Sequence, residues 1–439
     1  MFDKLFGKSK KKPDLPEPAI QFGRYSDNNK TTVKVNRWTD ADNLFKEKKH
    51  PEALDAFFDY LTDDSAGNVI YQRNGNEGQF EIFQGSKIVR GRFTGDQLSA
   101  EVTLARMPQP SVPVMRRLLE LNFSLYYSRY ALDGDRLCMR FDTPVVAGNP
   151  NKLYYGLKEL ATKADKQDDL LVQDFTILEK HDIEHIHEIS AAEKEIKYQY
   201  MQKWIAETLE LVGTLDADKF HGGIAYLLLT LAFQIDYLLV PEGKLMHDLE
   251  KIVELYFRKE DKPVPEKNRD LVEAYRKLQA KTREEVFHDL YRSRHTFSIV
   301  APQAYKTIAD MISAANQNLI WYKENNYPAI ATKISEYGFA YCQYSYSLPR
   351  PVSALFELFM RVNYSDYFEA LGFPRKFYNK ADGRFDVDAI YQRIQEITEA
   401  WKSKFPSLVF RNENLRFDNL MEFNHSFTNE IEFLNLENK

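Results

Sequence analysis

Three histidine–aspartate pairs are the residues of this 439-residue chain best suited to chemistry: His181-Asp182, His247-Asp248 and His288-Asp289. Neutral imidazole and carboxylate oxygens bind zinc, iron and manganese, and a metal-bound water becomes a nucleophile near neutral pH. His185 stands close to the first pair. The pairs therefore define a candidate metal site of a hydrolase, formed by His181, His185, His247, Asp248, His288 and Asp289.

This set resembles part of the HD-type phosphohydrolases, which hold a metal between histidines and a His-Asp pair on neighbouring helices. The spacing departs from that pattern, because the first pair falls in a predicted linker and no terminal Asp helix is evident. Adjacent side chains on a helix also point about 100° apart, so only one residue of each pair can coordinate a given metal ion. We therefore expect solvated faces here, with no metal and no cofactor. A metal-dependent hydrolase remains the alternative hypothesis.

A second candidate site is an aromatic run in the last third of the chain. Tyr337, Tyr341 and Tyr344 recur at near-helical spacing, close to Phe339 and Tyr346. Such rings can line a groove for a peptide or a flat ligand. The same i, i+4 spacing also fills interfaces between helices, so core packing is the competing interpretation.

Motifs, charge and cysteine content exclude several classes of function. The chain has no phosphate-binding glycine loop, no H-E-x-x-H zinc motif and no G-x-S-x-G elbow with a triad. Its net charge of −6 is spread among interspersed acids and bases, which argues against a nucleic-acid partner. Cys138 and Cys342 are the only cysteines, a usage typical of a reducing compartment. We expect a cytoplasmic protein.

The clearest structural pattern lies in residues 115–160. An amphipathic helix follows Pro113, and short strands are predicted at residues 126–132 and 137–141 around the turn Asp133-Gly134-Asp135. Before them, residues 38–61 have the spacing of a helix pair, and residues 68–104 alternate with period two between turn signals such as Asn74-Gly75. This order predicts an α+β domain with one antiparallel sheet and helices packed on it.

The same order, a helix ending in Leu-Leu-x-x-Asn at Leu118–Asn122, then strand, turn, strand and a long helix, resembles the YbjN and type III secretion chaperone-like fold. The resemblance covers roughly residues 38–166. It implies a binding role: the secretion chaperones hold an unfolded stretch of another protein, and the YbjN-like proteins are regulatory.

The rest of the chain predicts helices. Residues 163–174 are charged and lack periodicity, which favours a domain boundary there. Residues 224–240 are almost continuously apolar, but Gln234 and Asp236 interrupt them, so we expect a core helix and no integral membrane segment. The predicted organisation is a flexible basic tail at 1–34, a YbjN or secretion-chaperone-like α+β domain at 35–170, and an all-α helical domain at 171–439.

These features favour a non-catalytic module that binds a protein or peptide, with a chaperone-like or regulatory role. A sheet with exposed edges can accept an extended segment by strand addition, and its helices can pair with a second copy to form a homodimer. The helical domain is then expected to modulate binding instead of performing chemistry.

Overall fold

The computed structural model describes residues 16–27, 30–182 and 185–437. Residues 1–15, 28 and 29 of the predicted basic tail lie outside the described residues. The first half of the chain contains α1 (Thr32–Lys46), α2 (His50–Leu61), β1 (Val69–Asn74), β2 (Glu77–Gln84), β3 (Lys87–Phe93), β4 (Gln97–Arg106), α3 (Val112–Asn122), β5 (Arg129–Asp133), β6 (Arg136–Pro144) and α4 (Pro150–Asp174).

The main sheet has the order β1-β2-β3-β4-β6-β5, with every neighbouring pair antiparallel. The predicted meander and the predicted hairpin are both confirmed. In the hairpin, Tyr130 faces Met139 and Leu132 faces Leu137 across the pair. Gly134 has φ +61°, a conformation that glycine adopts without the cost a Cβ would bring.

The second half is helical, as expected. Its helices are α5 (Ala191–Gly213), α6 (His221–Leu239), α7 (Gly243–Phe257), α8 (Val264–Gln279), α9 (Arg283–His288), α10 (Tyr305–Glu324), α11 (Pro328–Ser345), α12 (Arg350–Asn363), α13 (Ser365–Ala370), α14 (Val387–Trp401) and α15 (Leu420–Glu432). Two-residue strands join its loops or pair with the main sheet: β7 (Glu179–Lys180), β8 (His187–Glu188), β9 (Tyr291–Arg292), β10 (Ala301–Pro302), β11 (Tyr346–Ser347), β12 (Tyr378–Asn379) and β13 (Arg384–Phe385).

The buried apolar side chains form two clusters. One lies between the sheet and helices α1 to α4, and it also receives Phe297 from the second half. The other fills the helical half around α6. Within the described residues, α6 is the one helix long and apolar enough to cross a membrane, and 89% of its most apolar window is buried inside the protein. The prediction of a core helix at residues 224–240 is confirmed.

The prediction of a linker at residues 163–174 is wrong. These residues continue helix α4 without a break to Asp174. Ala164 and Leu171 extend the buried stripe of the helix, while the buried Asp168 and Asp169 pair with Lys87 and Lys180. These acidic residues interrupt the apolar periodicity of the helix in the sequence, and partners from elsewhere in the chain stabilise them in the buried position.

The described part of the predicted flexible tail also differs from the expectation. The ring of Phe22 packs 5.0 Å from that of Phe368, and the Arg24 guanidinium makes two close contacts with the Asp236 carboxylate of α6. The hydroxyl of Tyr154 on α4 donates to Asp27 at 2.9 Å. Residues 16–27 therefore form ordered contacts with both halves of the molecule.

Candidate functional site

Helix α3 carries an apolar stripe on its outer face. Val114 and Leu118 are buried against the sheet, but other large side chains point away from it. The exposed fractions are 79% for Val112, 42% for Met115, 66% for Leu119, 94% for Phe123 and 92% for Tyr126. At 100° for each residue, positions 112, 115, 119 and 123 share one side of the helix. Contiguous exposed apolar surface of this kind marks interaction sites. We name these five residues the α3 stripe.

The loop that presents the end of the α3 stripe is fixed by one carboxylate. Glu159 on α4 accepts the main-chain N–H groups of Tyr126, Tyr127 and Ser128 at 2.8, 2.9 and 2.8 Å, and the Ser128 hydroxyl at 2.7 Å. Burial pushes the pKa of Glu159 upward, but these donors together hold it below its ordinary value. Tyr126 is thus held in the solvent by a rigid support, which lowers the entropy that a partner must remove.

Strand β5 lies at the edge of the sheet and contacts helix α3. The main-chain N–H of Tyr130 donates to Oδ1 of Asn122 at 2.8 Å, so it points away from β6. Since N–H directions alternate along a strand, Leu132 presents its N–H on the same outer side. Leu132 is 44% exposed. Asn122 already occupies the edge at Tyr130, so a further strand could pair with β5 at Leu132.

The opposite edge, β1, is tied more closely to a helix. Asp55 of α2 accepts the hydroxyl of Tyr71 at 2.8 Å and two N–H groups of Arg73 at 2.8 and 2.6 Å. Ile70 is the large exposed apolar side chain of this strand. The β5 edge therefore has the larger apolar surface beside it.

A second concentration of unusual groups lies where the two halves meet. Ser86, in the turn between β2 and β3, donates its N–H to Asp165 at 2.8 Å and its hydroxyl to Asp168 at 2.7 Å. The Lys87 ammonium, 1% exposed, lies 3.0 Å from Asp168. Gly85 leaves room for this packing, because a Cβ there would come within 1.9 Å of the Asp165 carboxylate. We name this group the junction cluster, together with Glu242 and His295.

The electrostatics of the junction cluster favour bound protons. Burial, followed by the nearby Glu242 carboxylate, raises the pKa of Asp165 to about 8. Burial also raises the pKa of Asp168 to about 6, although Lys87 opposes it. Burial lowers the pKa of His295, but its hydrogen bond with Glu242 and the charge of that carboxylate bring the net pKa above its ordinary value. Burial and the neighbouring carboxylates thus favour the protonated forms of Asp165, Asp168 and His295 relative to the same groups in water.

The same junction joins the halves through main-chain contacts. The Thr296 hydroxyl donates to the carbonyl oxygens of Asn68 and Phe83 at 3.1 and 2.9 Å. Oε1 of Gln84 accepts the N–H groups of Thr296 and Phe297 at 3.2 and 2.9 Å. Residues 293–297 of the helical half are consequently anchored on the sheet.

The structure does not gather the six residues of the predicted metal site. His185 contacts the carbonyl oxygen of Gly85 at 3.3 Å, and Asp248 pairs with Lys281 at 2.9 Å. Asp289 accepts the Leu245 N–H at 2.9 Å and contacts His288 at 2.6 Å. His181 follows β7, and His247 lies on α7. In the described ranges, no three histidine, cysteine or acidic side chains are grouped so that they could hold a metal ion.

The three tyrosines of the predicted groove lie on α11 against α6. The Phe233 ring is 5.9 Å from those of Tyr337 and Tyr341 and 4.8 Å from that of Tyr344. The Arg24 guanidinium covers the Tyr344 ring at 4.2 Å. They pack between helices, and a ligand groove at this place stays a prediction.

Neither the α3 stripe nor the junction cluster was predicted from the sequence. The α3 stripe had a detectable signal, since apolar residues at 112, 115, 119 and 123 add a second stripe to the buried one. The junction cluster had none, because Asp165, Glu242 and His295 are far apart in the chain.

No family model matches the chain, and no curated protein matches it significantly. The functional conclusions therefore rest on the geometry of these sites.

Proposed function

We propose that this protein binds an extended segment of another protein at the β5 edge, with the α3 stripe covering the apolar side chains of that segment. The observation that carries the proposal is the α3 stripe, five large apolar side chains in solvent beside an edge strand. The proposed role is chaperone-like or regulatory, and the proposed location is the cytoplasm.

The physical basis of the proposal is strand addition. Main-chain hydrogen bonds to an edge strand supply affinity, while alternate side chains of the added segment supply specificity. A segment with apolar residues at every second position would turn them all towards the α3 stripe. The resemblance to the YbjN and secretion-chaperone fold implies the same kind of partner.

Leu132→Pro tests the proposal, because proline removes the outward N–H of β5. Leu132→Ala is the matched control, since it shortens the side chain but keeps the N–H. A displayed library of short random peptides is selected against the full chain, and the enriched peptides are then titrated against both variants. We expect Leu132→Pro to lose at least about tenfold in affinity, equivalent to about 1.4 kcal/mol, and Leu132→Ala to lose much less.

Hydrogen exchange on the full chain locates the bound peptide. Protection should appear on β5 and on residues 112–126. Protection confined to the helical half, or equal affinities of the two Leu132 variants, would contradict the proposal. Sedimentation at rising protein concentration identifies the other occupant, a second copy of the chain, which would shield the same residues without any peptide.

A further inference from the structure

A groove of about 260 Å³ lies between one face of α4 and one face of α7. Each helix lines it with residues at positions i, i+3, i+4 and i+7, which share one side of a helix. These residues are Gln167, Leu170, Leu171 and Asp174 on α4, and Lys244, His247, Asp248 and Lys251 on α7. Arg117 of α3 and Gln173 complete the lining. At about 30 Å³ for each water-sized group, the groove has room for a small ion with several further atoms.

The cations of the groove are accessible and have few partners. Lys244, Lys251 and Arg117 are all exposed. Among the described residues, no carboxylate lies within 4.0 Å of the Lys244 or the Lys251 ammonium. Arg117 contacts Glu120 of its own helix at 3.8 Å, a long contact between solvated groups that neutralises little charge. All three side chains are therefore available to a ligand in the groove.

The acidic side chains of the groove do not balance these cations. Asp248 pairs with Lys281 at 2.9 Å, so its charge is already neutralised from outside the groove. Asp174, the last residue of α4, is the other carboxylate in the lining. The lining therefore has an excess of two positive charges, because three cations face one remaining carboxylate.

The half-buried ring of His247 indicates the sign of the potential in the groove. Burial lowers the pKa of His247, and the ammonium groups of Lys251 and Lys166 lower it further. Glu250 and Asp248 act in the opposite direction without reversing the shift. The ring is therefore mostly neutral near pH 7 and lies in a positive potential, which favours an anion beside it.

We propose that the groove between α4 and α7 binds a small molecule that carries a dianionic phosphate group. A dianion matches the excess of two positive charges, and arginine and lysine are the side chains that proteins use to bind phosphate. The phosphate oxygens accept hydrogen bonds from Lys244, Lys251 and Arg117. The site is separate from the β5 edge, and the proposal does not depend on peptide binding there.

Methyl phosphate and methyl sulfate form a matched pair of probes, because they have the same shape and differ in charge. At about pH 7.5 the phosphate monoester is mostly a dianion, since its second pKa is about 6, whereas the sulfate ester is a monoanion. The full chain is labelled with ¹³C at its 9 histidines, and His247→Gln assigns the signal of His247. We expect methyl phosphate to move this signal, with saturation, at concentrations at least about fivefold lower than methyl sulfate, the ratio that one further charge near a cation produces in water.

Two lysine variants test whether the groove itself binds the phosphate. Lys251→Gln removes one charge from the groove, keeps the length of the side chain, and should weaken binding of methyl phosphate at least about fivefold. Lys259→Gln is the matched control, because it removes the same charge from an exposed position beyond the end of α7 and outside the groove. It should change the affinity by less than about twofold, since salt screens distant charges.

The proposal fails if methyl phosphate does not move the His247 signal, if the two esters bind equally, or if the two lysine variants lose the same affinity. Malonate is the third probe, because its two charges lie on separate carboxylates. Tighter binding of malonate than of methyl phosphate would overturn the assignment of a phosphate group.

Discussion

Helices α3 and α6 are unusual in opposite ways, because α3 exposes large apolar side chains and α6 buries polar ones. Helix α3 leaves Leu119 and Phe123 in solvent, whereas α6 encloses Thr230, Gln234 and Asp236 in the core of the helical half. Exposed apolar groups gain free energy when a partner covers them, and buried polar groups require partners to be tolerated. One half of the molecule thus exposes large apolar side chains, and the other buries polar groups that need partners inside its core.

The polar groups of α6 also tie the chain together. Asp236 receives Arg24, which belongs to residues 16–27 and lies outside the helical half in sequence. Burial lowers the pKa of this guanidinium, but Asp236 outweighs burial and raises it above its already high ordinary value, so Arg24 stays charged. The exposed side chains of the α3 stripe have no comparable structural task, and the following changes test this contrast.

The largest expected effect is that of Asp236→Ala. Arg24 contacts its carboxylate at 2.8 and 2.9 Å, and both side chains are largely buried. Removing one partner of a buried ion pair leaves an uncompensated charge and costs about 3–5 kcal/mol of unfolding free energy. Urea denaturation measures the loss. Glu250→Ala is the control, because Glu250 is more exposed and contacts Arg24 at 3.2 Å. An equal loss of unfolding free energy in both variants would show that the Asp236 contact is no more important for stability than the Glu250 contact.

An intermediate effect is expected from Asp165→Asn at the junction cluster. The folded-state pKa values of Asp165 and Asp168, about 8 and about 6, lie above the ordinary value of 3.8, and that of His295 lies above 6.5. A folded state that binds protons more tightly than the unfolded state loses stability as pH rises. The unfolding free energy should therefore fall between about pH 4 and pH 8.

The amide of Asp165→Asn cannot ionise, so the variant should show a flatter pH dependence. Over pH 5 to 8 its stability should fall by at least about 1.4 kcal/mol less than that of the parent chain, which corresponds to one pKa unit. The groups facing Asp165 are Asp168 on its own helix, Ser86 from the sheet, and Glu242 and His295 from the helical half. Unfolding curves that remain parallel across this pH range would show that Asp165 does not titrate in the folded state.

The smallest expected effect on stability is that of Leu119→Ser combined with Phe123→Ser. Both side chains are mostly exposed, so the unfolding free energy should change by no more than about 0.5 kcal/mol for each. The same double change should abolish capture of the selected peptides. Leu118→Ala, one residue away on the buried face, is the contrasting variant and should lose about 2–5 kcal/mol. Comparable losses for the two faces of α3 would mean that the stripe is structural.

Local patterns in the sequence were sufficient wherever neighbours in the chain decide the structure. The hairpin at Asp133–Gly134 and the meander before it follow from alternation and from turn residues over a few positions. The continuous apolar run likewise determined that α6 is a core helix. These features depend on interactions within about ten residues, and their signal is therefore local.

Tertiary structure alone decided which charged residues are buried and which apolar ones are not. Residues 163–174 read as a solvated linker, yet they form a helix because Lys87 and Ser86, far away in the chain, hold Asp168 and Asp165. The sequence of α3 carries two apolar stripes, and only the fold shows which of them the sheet covers. The free energy of burying a charge depends on partners brought close by the fold, and no local pattern contains that information.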